Sequence, residues 1–135
     1  MPPFVKEDAV TVRDGGCLCG AVRYRVEGEP LRVGLCHCAD CRKESGSSFV
    51  TFAVWPRSAF SSDGDFRTHM GRSFCPLCGA RLFCLRDDEA ELRIGSLDAA
   101  PNELAPEYEA WVKRREPWLA VLSGRPQHCE DAPQN

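Results

Sequence analysis

The chain has 135 residues, 43% apolar and 27% charged, which suits one small folded domain with a single core and lies outside the low-hydrophobicity, high-charge regime of disordered chains. Seventeen Lys and Arg against twenty Asp and Glu leave a net charge of −3, so the bulk positive field that draws proteins to nucleic acid or anionic membranes is missing. No long apolar run is present and the segment Met1 to Asp14 is polar with two prolines, so neither a membrane span nor a secretory leader is expected, and a reducing, cytoplasmic location is.

Residues 1–13 carry no periodic pattern and read as an N-terminal tail. Val22, Tyr24 and Val26 then alternate with Arg23 and Arg25, the period of a half-buried strand. Ala39 to Ser45 is the clearest helical piece, with Gly46 as its left-handed stop. Phe49, Thr51 and Ala53 interleave with Val50, Phe52 and Val54 as a further strand. Leu82 to Leu85 and Leu92 to Ile94 form a hairpin pattern with Arg86 to Glu89 as its turn, and a helical turn is expected near Asn102 to Tyr108. From Gly124 onward Pro126 and Pro133 mark a loose end that carries no chemistry. The expected organisation is a mainly β domain with short helical pieces over residues 14–124, between tails at 1–13 and 125–135.

Nine cysteines are many for this length, and their number is odd. In a reducing compartment, clustered thiols point to metal or catalysis rather than to disulfides. Seven fall in short groups: Cys17-x-Cys19, Cys36-x-Cys38-x-x-Cys41 and Cys75-x-x-Cys78. Side chains at i and i+2 of an extended segment project to one side, and at i and i+3 across a turn two sulfurs reach one ion at about 2.3 Å each. Thiolate sets select zinc first, with iron as the redox-active competitor.

Seven sulfurs divide into a closed set of four and an open set of three. Cys17, Cys19, Cys75 and Cys78 are assigned to the closed set because Cys19-Gly20-Ala21 and Cys78-Gly79-Ala80 are matching continuations. A glycine there can take positive φ and turn backbone N–H groups toward the sulfurs. Cys36, Cys38 and Cys41 remain. A competing partition takes Cys38, Cys41, Cys75 and Cys78 as a ribbon of two C-x-x-C pairs. A three-thiolate zinc takes water or a substrate thiol as fourth ligand and lowers its pKa, which suits carbonyl or thiol activation. Alternatively, His37 or Asp40 closes the second site and both ions are structural. Cys84 reads as a small buried hydrophobe and Cys129 lies in the loose end. Cys75 and Cys78 lack the surrounding βαβ pattern of a redox dithiol.

At these residues the sequence resembles the glutathione-dependent formaldehyde-activating enzyme family. The likeness runs through Gly15-Gly16-Cys17-Leu18-Cys19-Gly20-Ala21-Val22, Cys36-His37-Cys38-Ala39-Asp40-Cys41-Arg42-Lys43 and Gly71-Arg72-Ser73-Phe74-Cys75-Pro76-Leu77-Cys78-Gly79-Ala80. It continues with Gly95-Ser96-Leu97-Asp98, Trp111 and Pro117-Trp118-Leu119.

The resemblance implies a zinc-stabilised β-tent similar to the Rab exchange factor fold, with two zinc ions. It implies that Cys17, Cys19, Cys75 and Cys78 hold a structural zinc and that Cys36, Cys38 and Cys41 hold the catalytic one. The implied activity is carbon–sulfur lyase chemistry on a small thiol adduct such as S-hydroxymethylglutathione. Arg42 and Lys43, directly after the last thiolate, are candidate anchors for the substrate carboxylates, or else a basic pair serving the helix dipole. His37, His69 and Asp40 are candidate acids or bases. Trp111 and Trp118 are expected in the core rather than in a pocket wall. The expected partner is a small thiol or aldehyde adduct, with neither nucleic acid nor membrane. The rival reading is a non-catalytic zinc-binding module with a structural or protein-interaction role.

Overall fold

The alternation at Val22 to Val26 places one face of a small sheet on the core. In the computed structural model, which describes residues 10–133, β1 (Val12–Gly16) and β5 (Phe60–Asp63) flank β2 (Arg23–Glu27), all antiparallel. Val22, Tyr24 and Val26 are buried while Arg23 and Arg25 are exposed. The remaining strands form a second sheet from β3 (Arg32–Cys36), β4 (Val50–Pro56), β6 (Arg67–His69), β7 (Arg72–Phe74), β8 (Arg81–Leu85), β9 (Glu89–Arg93) and β10 (Glu109–Ala110). Its order is β10-β3-β4-β9-β8-β7-β6, antiparallel except for the parallel β10–β3 pair.

Between the sheets lies an aromatic core centred on Phe83, with ring centroids 5.9 Å from Tyr24, 5.0 Å from Phe60 and 5.0 Å from Phe66. Trp55 is fully buried beside them and satisfies its indole N–H on the Gly28 carbonyl at 3.0 Å. Each such side chain removed from water contributes about 1.5–3 kcal/mol.

Register divides the large sheet into two chemically distinct faces. Residues directly opposite one another share a face, and the pairs Val33↔Ala53, Ala53↔Leu92, Phe83↔Leu92 and Trp55↔Ala90 form the core side. The pairs Cys36↔Val50, Gly34↔Phe52, Arg32↔Val54, Val54↔Glu91, Phe52↔Arg93 and Cys84↔Glu91 form the other side. Strand β4 is therefore covered on both faces, which is why Ala53, Val54 and Trp55 are all buried in succession.

The single α-helix among the described residues, α1 (Ala39–Ser45), lies over this polar face. Gly46 closes it at φ 72°, its N–H bonded to the Arg42 carbonyl. Glu44 of α1 anchors it to the sheet by accepting from Arg72 at 2.6 Å and from Arg93 Nε at 3.0 Å. No helix is long and apolar enough to cross a membrane among the described residues.

Four expectations change at this level. The acidic turn tightens, since the Arg86 N–H bonds the Glu89 carbonyl at 2.8 Å and Glu89 opens β9 instead of lying in the turn. No helical turn forms over 102–108, because Asn102 turns its amide onto its own loop, donating to the Ala99 carbonyl and accepting from the Leu104 N–H. The end beyond Gly124 is tied: the Glu109 N–H bonds Pro126, the His128 N–H bonds Glu109 and the Trp111 N–H bonds Glu130. At the other end Val12 and Arg13 already belong to β1, and residues 1–9 of the expected N-terminal tail lie outside the described residues.

Candidate metal centres

Each cysteine group sits where a strand ends, so the sulfurs of distant segments can converge. Cys17 and Cys19 follow β1, and Cys75 and Cys78 follow β7. Gly20 and Gly79 take φ values of 85° and 78°, the conformation expected of the two knuckles. The Sγ atoms of Cys17, Cys19, Cys75 and Cys78 all lie within 4.8 Å of one another, with Cys17–Cys19 at 3.6 Å and Cys19–Cys75 at 3.7 Å. A tetrahedral zinc with bonds of about 2.3 Å has sulfur–sulfur edges of about 3.8 Å, so this donor set fits that ion. Backbone N–H groups of Val22 and Leu77 reach the Cys17 and Cys75 sulfurs at 3.2 Å and 3.4 Å. Burial pushes the Cys17 thiol up, but the Val22 N–H and the neighbouring thiols bring it down to about 6.

The second set is local. Cys36 ends β3, Cys38 caps α1 and Cys41 lies in its first turn, with their Sγ atoms mutually within 4.8 Å. The Cys38 N–H approaches the Cys36 sulfur at 3.5 Å and the Cys41 N–H approaches the Cys38 sulfur at 3.3 Å. Hydrogen bonding with Cys36 and, against burial, with Arg72 draws the Cys41 thiol down to about 6. Distance thus groups the cysteines as four and three. The ribbon of Cys38, Cys41, Cys75 and Cys78 is not formed.

The two sets differ in their surroundings. Cys36, Cys38 and Cys41 line a pocket of about 280 Å³ together with Arg32, Phe52, Arg72, Arg86, Glu91, Tyr108, Ala110, Asp131 and Ala132. None of the four-cysteine set lines it. Arg32 is engaged by Glu89 through two hydrogen bonds at 2.9 Å and 2.7 Å, whereas among the described residues the Arg86 side chain has only a 3.5 Å contact to Glu91. Burial raises the Tyr108 phenol, an effect that Arg32 opposes.

Arg42 and Lys43 are not among the lining residues of this pocket. Successive helix positions turn by about 100°, so the residues after Cys41 face elsewhere. Arg42 donates to the Arg114 carbonyl at 3.0 Å and pairs with Glu116, and Lys43 is exposed. Both border a separate cleft with Ser47, Ser48 and Arg114.

His37 points away from the thiols into the fold. It is 1% exposed and its Nε2 lies 2.7 Å from Glu109 Oε1. Asp40 and His69 are exposed and border a different cleft. Trp118 is 71% exposed and Trp111 half-buried, the latter donating to Asp131 at 2.7 Å, so neither is a core residue. Cys84 is buried and Cys129 exposed.

Arg72, Arg86 and Tyr108 escape local reading because segments distant in sequence bring them to the pocket. Arg32 and Cys36 share a face at i and i+4 of one strand, a signal that the sequence does carry. Arg72 and Tyr108 have no comparable signal.

Comparison with known proteins agrees with the cysteine pattern. A family profile described as "Glutathione-dependent formaldehyde-activating enzyme" matches residues 12–114. The chain belongs to this family. A protein of Halomonas elongata whose name assigns it to the glutathione-dependent formaldehyde-activating enzymes is 27% identical over 133 positions, covering 86% of this chain and 85% of that one. A Schizosaccharomyces pombe protein named as an uncharacterized lyase is 28% identical over 75 residues, 52% of this chain. The match spans 55% of the fission-yeast protein's length.

Proposed function

We propose that the protein is a zinc-dependent carbon–sulfur lyase-type enzyme acting on a small thiol adduct, of which S-hydroxymethylglutathione is the leading candidate. In this reading Cys17, Cys19, Cys75 and Cys78 hold a structural zinc, and Cys36, Cys38 and Cys41 hold a second ion with one position free for substrate. The observation that carries it is the asymmetry between the sets: three thiols open onto a pocket lined by three arginines and two carboxylates, and the closed set of four stands apart from it. The family and the names of the two relatives support a lyase. A reducing, cytoplasmic compartment, where these thiols stay free, is part of the same reading.

A zinc ion bound there would supply Lewis acidity and lower the pKa of a thiol at its open position toward neutrality. The chain's own groups do the rest. In the synthetic direction a thiol sulfur adds to an aldehyde carbon, the C–S bond forms, and the thiol proton ends on the former carbonyl oxygen. Tyr108 lines the pocket, and its phenol, ordinarily near 10 and raised by burial, offers a hydrogen bond to that oxygen while the thiol supplies the proton. Arg86, with its single loose partner, meets a substrate carboxylate. Phe52 and Tyr108, with ring centroids 6.1 Å apart, wall the pocket against water.

The test is to follow exchange between formaldehyde and glutathione by NMR with wild type and Cys38→Ser. Acceleration by wild type and none by the variant is expected. A wild-type protein that does not accelerate exchange removes formaldehyde as the aldehyde, and one that binds both ions yet acts on no thiol adduct favours the structural zinc module.

A further inference from the structure

Glu109 is a buried carboxylate that touches no cysteine, and its partners come from three separate segments. It is 1% exposed. His37 Nε2 lies 2.7 Å from its Oε1, while the Leu122 N–H and the Gln127 side-chain amide each donate to Oε2 at 2.9 Å. The Arg115 guanidinium completes the set at 3.3 Å. Burying a charge is unfavourable by several kcal/mol unless it is paired and hydrogen-bonded. Burial raises this carboxyl, yet these donors bring it down to about 2, so the carboxylate keeps its charge and its hold on all of them.

Two of these partners lead toward the three-cysteine centre. His37 is the residue between Cys36 and Cys38, and its backbone N–H is itself tied to the Ala110 carbonyl at 3.1 Å. Its other ring nitrogen, Nδ1, is buried without a partner among the described residues, so the Glu109 bond is what fixes the ring. With a carboxylate as partner, Nε2 is the donor of this bond. Gln127 stands in the segment that runs on to Asp131 and Ala132, which form part of the pocket wall.

We propose that Glu109 is a positioning residue for the three-cysteine centre: through His37 it fixes the backbone between two thiols, and through Gln127 it holds the segment that closes the pocket. The inference rests on the metal-binding part of the proposed function. It adds a residue that neither the cysteine motif nor the pocket lining identifies.

The test is zinc release from fully loaded protein to a chromophoric chelator at neutral pH, for wild type, Glu109→Gln and His37→Phe. Wild type should release two equivalents in two phases, the fast one disappearing in Cys38→Ser. Both variants should accelerate the fast phase roughly tenfold, the usual effect of losing an outer-shell partner, and leave the slow phase in place. The four-cysteine centre is thus the internal reference for folding. His37→Phe leaves Glu109 its bonds to Leu122, Gln127 and Arg115, so it carries the test alone if Glu109→Gln does not fold. An unchanged fast phase, or equal acceleration of both phases, overturns the inference while the proposed function stands. A wild-type protein that holds one equivalent overturns both.

Discussion

Arg72 stands with one guanidinium nitrogen 3.6 Å from Cys41 Sγ and 2.6 Å from Glu44 Oε1. The same carboxylate oxygen accepts from Arg93, so a chain of charges runs from the thiol set through α1 to the polar face of the large sheet. Three thiolates around a divalent ion leave a net negative charge, and Arg72 is the cation placed to offset it.

Replacing Arg72 by Met should therefore weaken zinc binding at the three-cysteine centre by roughly tenfold, with Arg72→Lys restoring part of the loss. Glu44 keeps Arg93 in either variant, so the fold should persist. Competitive titration against a chelator of known affinity measures the effect, with the four-cysteine centre unchanged.

The two centres should differ in what they do for stability. Cys17 and Cys19 follow the small sheet while Cys75 and Cys78 follow a strand of the large one, and Cys75 is fully buried. A structural zinc supplies on the order of 10 kcal/mol to folding. Cys75→Ser should consequently leave the chain largely unfolded at 25 °C, whereas Cys38→Ser, within a local set, should fold with a modestly lowered melting temperature. Circular dichroism during heating separates the two outcomes.

Gly34 is required by a close approach rather than by a turn. A Cβ there would come within 2.6 Å of Phe52 Cζ and 2.7 Å of Tyr108 Cζ. Gly34→Ala should push these two rings into the pocket, lower stability by about 1–3 kcal/mol, and weaken thiol binding without releasing metal from the four-cysteine centre. Urea denaturation and glutathione titration measure the two effects.

How much of this was legible in the chain depends on distance along it. The strand at Val22 to Val26, the helix Ala39–Ser45 with its Gly46 stop, and the cysteine groups were readable because periodicity, capping and short ligand spacings are local properties. The division of sulfurs into four and three also followed, from the repeated Gly-Ala continuations at Gly20 and Gly79. Arg42 and Lys43 are sequence neighbours of Cys41 and do not line its pocket, whereas Arg72 reaches it from a remote strand. The tied C-terminal segment was equally hidden: its anchor is Glu109, eighteen residues from Gln127, and no local pattern announces that bond. Trp118 shows the limit of composition, since an aromatic residue expected in the core is exposed.

The Arg32–Glu89 pair should make a pH-dependent contribution. Hydrogen bonding from Arg32 lowers the Glu89 carboxyl below its ordinary value of 4.5, with burial opposing. A group depressed in the folded state stabilises above its unfolded pKa and loses that contribution as pH falls through the folded value. Glu89→Gln should thus cost about 0.5–1 kcal/mol at pH 7, as for a partly solvated bidentate pair, and the gap to wild type should narrow steadily below pH 4.5. Urea midpoints of the two chains across that range give the comparison.

In the proposed function, an ion held by Cys36, Cys38 and Cys41 keeps one position open to a thiol. Cobalt(II) absorption of the protein loaded at both centres, recorded before and after adding glutathione, tests it most directly. Glutathione should alter the bands that are missing from Cys38→Ser and leave the remaining bands as they were. Bands that ignore glutathione, in a protein carrying both ions, would contradict it.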